Sequence, residues 1–129
     1  MHYFAGTASV HTTAAICDYL DERATATDTV TVVAVTPPSD TTTRRDAQEA
    51  LNVAPVRLAT VDELNTELRE HDGDPAEVLL ESAAAADADE LLIASADGIS
   101  NESTAVGSAV HAVLEAATLP VVVVPGPEL

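Results

Sequence analysis

Leu91–Val124 reads LLIASADGISNESTAVGSAVHAVLEAATLPVVVV, and its composition predicts a strand, a polar loop, a helix and a second strand. The apolar run Leu91–Ala94 has the length of a strand that is buried on both faces. Pro120 ends the helix, because proline lacks the amide N–H and pushes the residue before it to extended geometry. Val121–Val124 is a β-branched run typical of a buried strand. Since such crossovers are right-handed, the two strands are predicted to be parallel.

The helix of this stretch is predicted over Thr104–Ala117, after a polar loop from Ser95 to Ser103 that contains Gly98. Apolar residues recur within it at helical spacing and predict a single buried stripe. The stripe consists of Val106, Val110, Val113, Leu114 and Ala117. The loop is rich in hydroxyl and amide side chains and follows a strand, and ligands of open α/β sheets bind at such strand ends. Solvated loop chemistry explains the same residues equally well.

A helix start precedes this unit. Asp74 is predicted as the N-cap, Pro75 as the first helical residue, and Ala76–Ala86 as the helix. Aspartate accepts hydrogen bonds from free first-turn amides, and proline at the first position gives up an amide that has no partner in any case. This helix leads through a short acidic connection into the strand that begins at Leu91.

The first half of the chain contributes three predicted strands, His2–Ala5, Thr29–Val35 and Leu64–Arg69, the last of them at an edge. A first helix is predicted to begin at a cap, either Ser9 or Thr12, and to run to about Ala24, with Ile16, Tyr19 and Leu20 on its buried side. A second helix is predicted across Ala47–Val61, with a kink or break near Val53–Val56, because Pro55 clashes with the carbonyl four residues earlier.

Five strands that alternate with four helices predict an α/β fold, with a doubly wound parallel sheet that has helices on both faces. The length suits one domain, residues 1–129, and 47% hydrophobic content is ample for a single core. Only 2% of the residues are aromatic. The core must therefore depend on close packing of small side chains.

The formal charge of −17 arises from 22 acidic residues against five arginines, with no lysine. Such a surface could bind divalent cations, face a basic partner, or be an adaptation to very high salt. The acidic residues are spread along the chain, and molar salt shortens the Debye length to about 3 Å, which screens their repulsion. We therefore expect a protein from an extreme halophile. A surface this acidic repels phosphate backbones, so we expect no binding to nucleic acid.

Localisation is predicted to be cytoplasmic. A single cysteine, Cys17, excludes an internal disulfide and fits a reducing compartment. No apolar run approaches the roughly 18–20 residues that cross a bilayer, and no signal-peptide pattern opens the chain. The four histidines lie on four different predicted elements, so no metal site is expected. Cys17 has no second cysteine nearby and is interpreted as a packing residue.

The chain resembles the universal stress protein (UspA) family over nearly its full length. Gly73–Glu77, followed by a helix and Ala88–Ile93, is similar to the family pattern GdPaeaIl…aDLIVmG. Val106-Gly107-Ser108, followed by a helix and Leu119–Val124, is similar to lGSva…cPVlvV. The resemblance implies a Rossmann-like five-stranded parallel sheet in the order 3-2-1-4-5. It also implies a homodimer that pairs through the last strand, here Val121, Val122, Val123 and Val124.

Nucleotide-binding members of this family carry G-x2-G-x9-G-(S/T) after strand four, where glycines let backbone amides approach phosphates. Gly107 and Ser108 match the last pair of this motif, whereas Ala94 and Asp97 occupy the first two glycine positions. A phosphate about 4 Å from Asp97 would meet repulsion of about 4 kcal/mol per unit charge at an effective dielectric constant of about 20. Gly98 could replace the missing glycine if the loop shifted by one residue.

The family also places an aspartate after strand one, near the adenine and ribose, and this chain has Gly6 or Thr7 at that position. The resemblance therefore gives a candidate nucleotide or anion site of seven residues. They are Thr7, Val35, Ala94, Asp97, Gly98, Gly107 and Ser108. Two departures from the family pattern predict a non-enzymatic dimeric module without a cofactor. The alternative is an ATP-binding, slowly hydrolysing member that uses the Ala94–Ser108 loop.

Overall fold

The computed structural model describes residues 1–94 and 108–125, and for residues 108 and 109 it describes the backbone alone. Within these ranges, strands and helices alternate along the chain. They are β1 (His2–Thr7), α1 (Val10–Asp21), β2 (Thr29–Thr36), α2 (Thr41–Arg57), β3 (Glu63–Glu70), α3 (Pro75–Ala85), β4 (Glu90–Ala94), α4 (Ser108–Ala116) and β5 (Val121–Val124). The predicted alternation is confirmed.

The strands form one sheet in the order β3-β2-β1-β4-β5, and every pair is parallel. The predicted α/β doubly wound fold and its strand order are confirmed. β1 lies at the centre and pairs with β2 along its whole length, up to Thr7 opposite Ala34. Its pairing with β4 is shorter and ends at Ala5 opposite Leu92. The sheet therefore opens between β1 and β4 at its carboxyl edge.

Two core layers cover the two faces of the sheet because successive side chains of a strand point to opposite sides. On one face, Val32 and Ala34 of β2 pack with residues of α1 and α2, such as Ile16 and Leu51. On the other face, Val33 packs with residues of α3 and α4. Central strands that are buried on both sides explain the continuous apolar runs of the sequence.

Polar caps begin three of the helices. Ser9 is the N-cap of α1, and its Oγ accepts a hydrogen bond from the amide of Thr12 at 3.1 Å. Asp40 caps α2 by accepting from the amide of Thr43 at 2.9 Å. Asp74 caps α3 with Pro75 at its first position, as predicted. Of the two caps considered for the first helix, the structure therefore uses Ser9 and places Thr12 inside the helix.

Two predictions about helices are wrong in part. α2 is not broken at Pro55, because this proline lies only two residues before the last helical residue, Arg57, and the amide of Leu58 still donates to Ala54 at 2.9 Å. On α4, Leu114 is 46% exposed and does not belong to the buried stripe. α4 lies beside β5, which is an edge strand of the sheet. The sheet therefore covers only the side of α4 that carries Val110 and Val113.

Candidate functional site

The crevice between β1 and β4 is the place where the topology favours a ligand. Beyond the last pair, Ala5 with Leu92, the chain leaves β1 toward α1 on one face of the sheet. The chain that leaves β4 returns as α4 on the opposite face. Where successive connections leave a parallel sheet in opposite directions, a crevice opens outside the carboxyl ends of the strands. We take this crevice, between the ends of β1 and β4, as the candidate site.

Thr7 ends β1 at this crevice, but its hydroxyl is already engaged. The residue is buried, at 8% exposure. Thr7 Oγ1 lies 2.7 Å from Thr13 Oγ1 and 3.2 Å from the carbonyl oxygen of Ser9, and when Thr13 donates to that carbonyl oxygen, the Thr7 hydroxyl is the donor to Thr13. These bonds fasten the end of β1 to the first turn of α1. A ligand that reached this point would have to compete with existing hydrogen bonds for the Thr7 hydroxyl.

The first turn of α1 is similarly satisfied from within. Ser9 Oγ accepts from the Thr12 amide, and the Ser9 carbonyl oxygen accepts from the amide of Thr13 at 3.0 Å. Thr13 Oγ1 also donates to that carbonyl oxygen at 3.0 Å. Free amides at a helix start attract anions, and capping residues compete for the same amides. At α1 the cap takes one of these free amides, that of Thr12, whereas the Thr13 amide makes the first regular bond of the helix.

Gly6 precedes Thr7 at the candidate site, and the sequence alone does not explain why this position is a glycine. The Leu79 side chain of α3 lies against its backbone. A Cβ atom at Gly6 would lie 2.6 Å from Leu79 Cδ1 and 2.9 Å from Cδ2, closer than real contacts allow. Glycine here permits the close approach of a helix side chain to the sheet. Leu79 was not predicted, since nothing in its sequence neighbourhood distinguishes it from a core residue.

The other predicted site residues lie on both sides of β1. Val35 follows Ala34, the partner of Thr7, and is partly exposed at the end of β2. Ala94 ends β4 at 9% exposure and pairs with Val124 of β5. The fold therefore brings the end positions of β1, β2 and β4 to one edge. Ser108 is the first described residue of α4, and the remaining predicted residues, Asp97, Gly98 and Gly107, lie outside the described residues.

A polar corner lies farther along the same edge, at the ends of β2 and β3. Arg44 of α2 forms an ion pair with Glu70 and donates to the carbonyl oxygen of Pro38 at 3.2 Å. Among the described residues, the buried Oγ1 of Thr36 has no hydrogen-bond partner. The backbone amide of Thr43 lowers the pKa of Asp40 below its ordinary value. The guanidinium group of Arg44 is thus already paired with a carboxylate of the same chain, that of Glu70.

Cys17 and His2 are engaged in packing and in hydrogen bonds of the fold. Burial is the main cause that raises the pKa of Cys17 to about 11, so its thiol stays protonated at neutral pH, and the packing interpretation is consistent with 1% exposure. His2 is used structurally: Nε2 lies 2.8 Å from Thr31 Oγ1 and Nδ1 lies 3.1 Å from the carbonyl oxygen of Ala86. No group of three metal-ligating side chains converges among the described residues.

Comparison with known proteins shows the family of this chain. The model of the universal stress protein family matches residues 5–125. A search of curated proteins finds no match. No helix in the described ranges has both the length and the apolar character required to cross a membrane.

Solved structures with the same fold include a universal stress protein from Archaeoglobus fulgidus, with a TM-score of 0.75 and 16% identity over 96% of this chain and 98% of the other. The complex of an Archaeoglobus fulgidus universal stress protein with dAMP has a TM-score of 0.71 and 16% identity over 96% and 97% of the two chains. A universal stress protein in complex with cAMP has a TM-score of 0.69 and 18% identity over 98% of both. At sequence identities this low, the similarity between these structures and this chain shows a shared fold alone.

Proposed function

The chain belongs to the universal stress protein family, and on this premise we propose that it is a non-enzymatic, homodimeric stress-response module of the cytoplasm with a degenerate nucleotide-binding loop. The observation that carries the proposal is the engagement of Thr7. Its hydroxyl is buried and bonded to Thr13 and to the Ser9 carbonyl oxygen. The end of β1 thus uses its polar group to hold α1, and it offers no carboxylate to a ribose.

The loop after β4 supports the same conclusion from charge. Ala94 and Asp97 stand where the family motif has glycines, and Glu102 adds a second carboxylate to that loop. A nucleoside triphosphate is strongly anionic, and carboxylates near its phosphates raise the free energy of the complex. Gly107 and Ser108 retain the end of the motif, which is consistent with descent from a binding ancestor and with a structural role at the start of α4.

The dimer would pair through β5. Val121, Val122 and Val123 are each partly exposed at the edge of the sheet, and Val124 is buried at 4% exposure. An edge strand presents unpaired backbone donors and acceptors to a neighbouring chain. Four valines without a charge add apolar surface to this backbone template. A second copy that pairs with β5 would bond to its unpaired backbone groups and would cover its apolar side chains.

Calorimetric titration of Mg-ATP into the protein in 3 M KCl tests the proposal. We expect no binding heat, and mass spectrometry of the purified protein should detect no nucleotide retained from expression. The Asp97→Gly variant is the matched control, since it restores the motif residue and removes a carboxylate. A gain of ATP affinity in this variant alone would support the charge argument. Micromolar binding by the unaltered protein would contradict the proposal.

Adenine nucleotide binding is the second candidate function. It is favoured by the similar folds solved in complex with dAMP and with cAMP. Neither of these ligands carries a triphosphate, so both place less negative charge near Asp97 than ATP does. Titration of AMP and cAMP beside Mg-ATP separates the candidates. Binding of the monophosphates without ATP would make this chain a sensor of small adenine nucleotides.

A further inference from the structure

One side of α4 is turned away from α3. Val113 lies on the buried side of α4, at 1% exposure, and packs in the layer between the sheet and helices α3 and α4. Successive residues of a helix are turned by about 100°, so Ala112 and Leu114 lie on opposite sides of Val113. Ala112 is partly buried in that layer, whereas Leu114 is 46% exposed. Since α3 packs beside α4, Ala112 faces α3 and Leu114 lies on the outer side.

This outer side of α4 lies along the free edge of the sheet. α3 packs over the inner strands, because Leu79 lies against Gly6 of β1 and the helix also contacts β2. α4 connects β4 to β5, the last strand of the sheet on that side. Val121 and Val123 of β5 are partly exposed and point to the same face of the sheet as α4. Leu114 and these two valines therefore continue one apolar surface from the edge strand onto the helix.

A side chain that can carry a positive charge and one that carries a negative charge stand beside Leu114. His111 precedes Leu114 by three residues and Glu115 follows it by one, so the three residues share one side of the helix. Nε2 of His111 lies 3.1 Å from Oε1 of Glu115, and both side chains are 70% exposed. We call these three residues, His111, Leu114 and Glu115, the α4 flank. Its two polar groups are accessible to a second molecule.

We propose that the α4 flank is a second contact layer of the homodimer, in which Leu114 packs against Leu114 of a second copy. The proposal rests on the proposed function, because it concerns the dimer that pairs through β5. Two edge strands that pair as antiparallel neighbours in one continuous sheet are related by a two-fold axis perpendicular to that sheet. The same axis places the two α4 helices on one face of the sheet and makes them antiparallel.

Charge favours a second copy as the occupant of the α4 flank. The formal charge of −17 makes two copies repel each other in general. In a two-fold interface, residue i of one copy contacts residue j of the other and the reverse. With Leu114 near the axis, His111 of each copy lies near Glu115 of the other, so the flank is complementary to itself. Its centre is a leucine, which can be buried without desolvating a charge.

Sedimentation equilibrium in 3 M KCl compares the unaltered protein with Leu114→Ala and Val56→Ala. Val56 is the matched control, since it is 80% exposed and lies on α2, on the other face of the sheet. We expect Leu114→Ala to weaken self-association at least about tenfold, because each dimer loses the contact in both copies. Val56→Ala should associate as the unaltered protein does. Equal association of all three proteins, each shown to be folded, would overturn the proposal.

Chemical cross-linking tests the same contact without depending on a loss of affinity. Leu114→Cys places one thiol of each copy close to the axis, and a short bismaleimide should join the two chains. Val56→Cys should remain a single chain, since its thiols lie on the other face of the sheet. Cys17 is buried at 1% exposure and does not compete. Covalent dimers that form equally with both variants, or with neither, would contradict the contact.

The outcomes separate this proposal from the proposed function. Pairing through β5 is tested by a charge on that strand, as in Val123→Lys. A dimer that Val123→Lys dissociates and Leu114→Ala leaves intact would retain the proposed function and overturn the α4 flank. A dimer that only Leu114→Ala weakens would overturn pairing through β5 and retain the contact between the α4 helices. A chain that stays monomeric at every concentration would overturn both.

Discussion

The two edge strands of the sheet, β3 and β5, have opposite chemistry. β3 reads ELNTELRE and is largely exposed, with charged side chains along its length. β5 reads VVVV and is partly buried although it is also an edge strand. On β3, Arg69 pairs with Glu67 at 3.0 Å. Charges on an edge strand prevent another sheet from adding to it, whereas an apolar edge strand invites addition.

This difference fits the proposed dimer, in which association is confined to the β5 side of the sheet. The formal charge of −17 discourages contact between copies in general. Against that background, the four uncharged valines of β5 are the residues through which the proposed dimer would pair. A shallow groove continues from this edge along α1, lined by Ala14, Ala15, Val124 and Pro125 with acidic Asp18 and Glu22 beside them.

The largest expected effect comes from a charge placed on the apolar edge. Val123→Lys should weaken self-association at least about 100-fold, because a partly buried ammonium group would have to be desolvated against the partner strand. Sedimentation equilibrium in 3 M KCl measures the change. Thr66→Lys, which adds the same charge to the exposed β3, is the control and should leave association unchanged. A dimer that survives Val123→Lys would place the interface elsewhere.

Salt should produce the next largest effect. Raising KCl from 0.1 M to 3 M shortens the Debye length from about 10 Å to below about 3 Å, which screens the repulsion between two acidic chains. Apolar contacts are not weakened by this screening. We expect self-association to strengthen about 30-fold and the thermal midpoint to rise. An interface made of ion pairs would dissociate in salt, and a fold indifferent to salt would contradict haloadaptation.

A smaller effect is expected when the polar edge is made apolar. Asn65→Val combined with Glu67→Val gives the middle of one β3 face two apolar β-branched residues, as on β5, while Glu63 and Arg69 remain charged at its ends. This variant should associate about tenfold more strongly than the unaltered chain at equal concentration, through a new contact between edges. Asn65→Thr with Glu67→Gln changes the same positions, keeps them polar and should associate no more strongly than the unaltered chain. Light scattering across a concentration series compares the two variants.

The smallest effect is expected on acidification, which protonates a carboxylate on the β3 side of the sheet and leaves the valines of β5 unchanged. The Thr43 amide lowers the folded pKa of Asp40 at the start of α2, the helix that packs on β2 and β3. Its stabilising contribution is therefore present above the ordinary pKa of 3.8 and is lost as the pH falls through the lower folded value. Asp40→Asn keeps the cap without titrating, and its thermal midpoint should fall slightly less between pH 5 and about 2.5. An identical fall in both proteins would contradict this assignment.

Local signals in the sequence were sufficient for most of the fold. The Asp74-Pro75 start of α3 was predicted because a cap and its proline act within one turn of chain. The strands were predicted because β-branched runs need no partner to be recognised. The break predicted near Pro55 was wrong because the cost of a proline depends on how close it lies to the end of the helix. The predicted burial of Leu114 was wrong because the spacing of apolar residues does not show how much of a helix the sheet covers.

The candidate site was predicted less completely. The family resemblance assigned Ala94, Val35 and Thr7 to the candidate site, and the structure places them at one edge of the sheet. The hydrogen bonds of Thr7 to Thr13 and to Ser9 follow from how α1 packs, and sequence spacing does not show them. Leu79 could not be identified at all, because its contact with Gly6 joins residues far apart in the chain.

The amino-acid sequence alone predicts the elements, their parallel alternation, the apolar β5, the charged β3 and the acidic charge of the whole chain. These properties depend on residue type and short-range spacing, which are present before the chain folds. Three further features come from tertiary packing: Thr7 bonds to Thr13 of α1, Leu79 lies against Gly6, and Leu114 stays exposed. Each of these depends on a distance between residues of different elements, and such distances exist only once the helices are packed on the sheet.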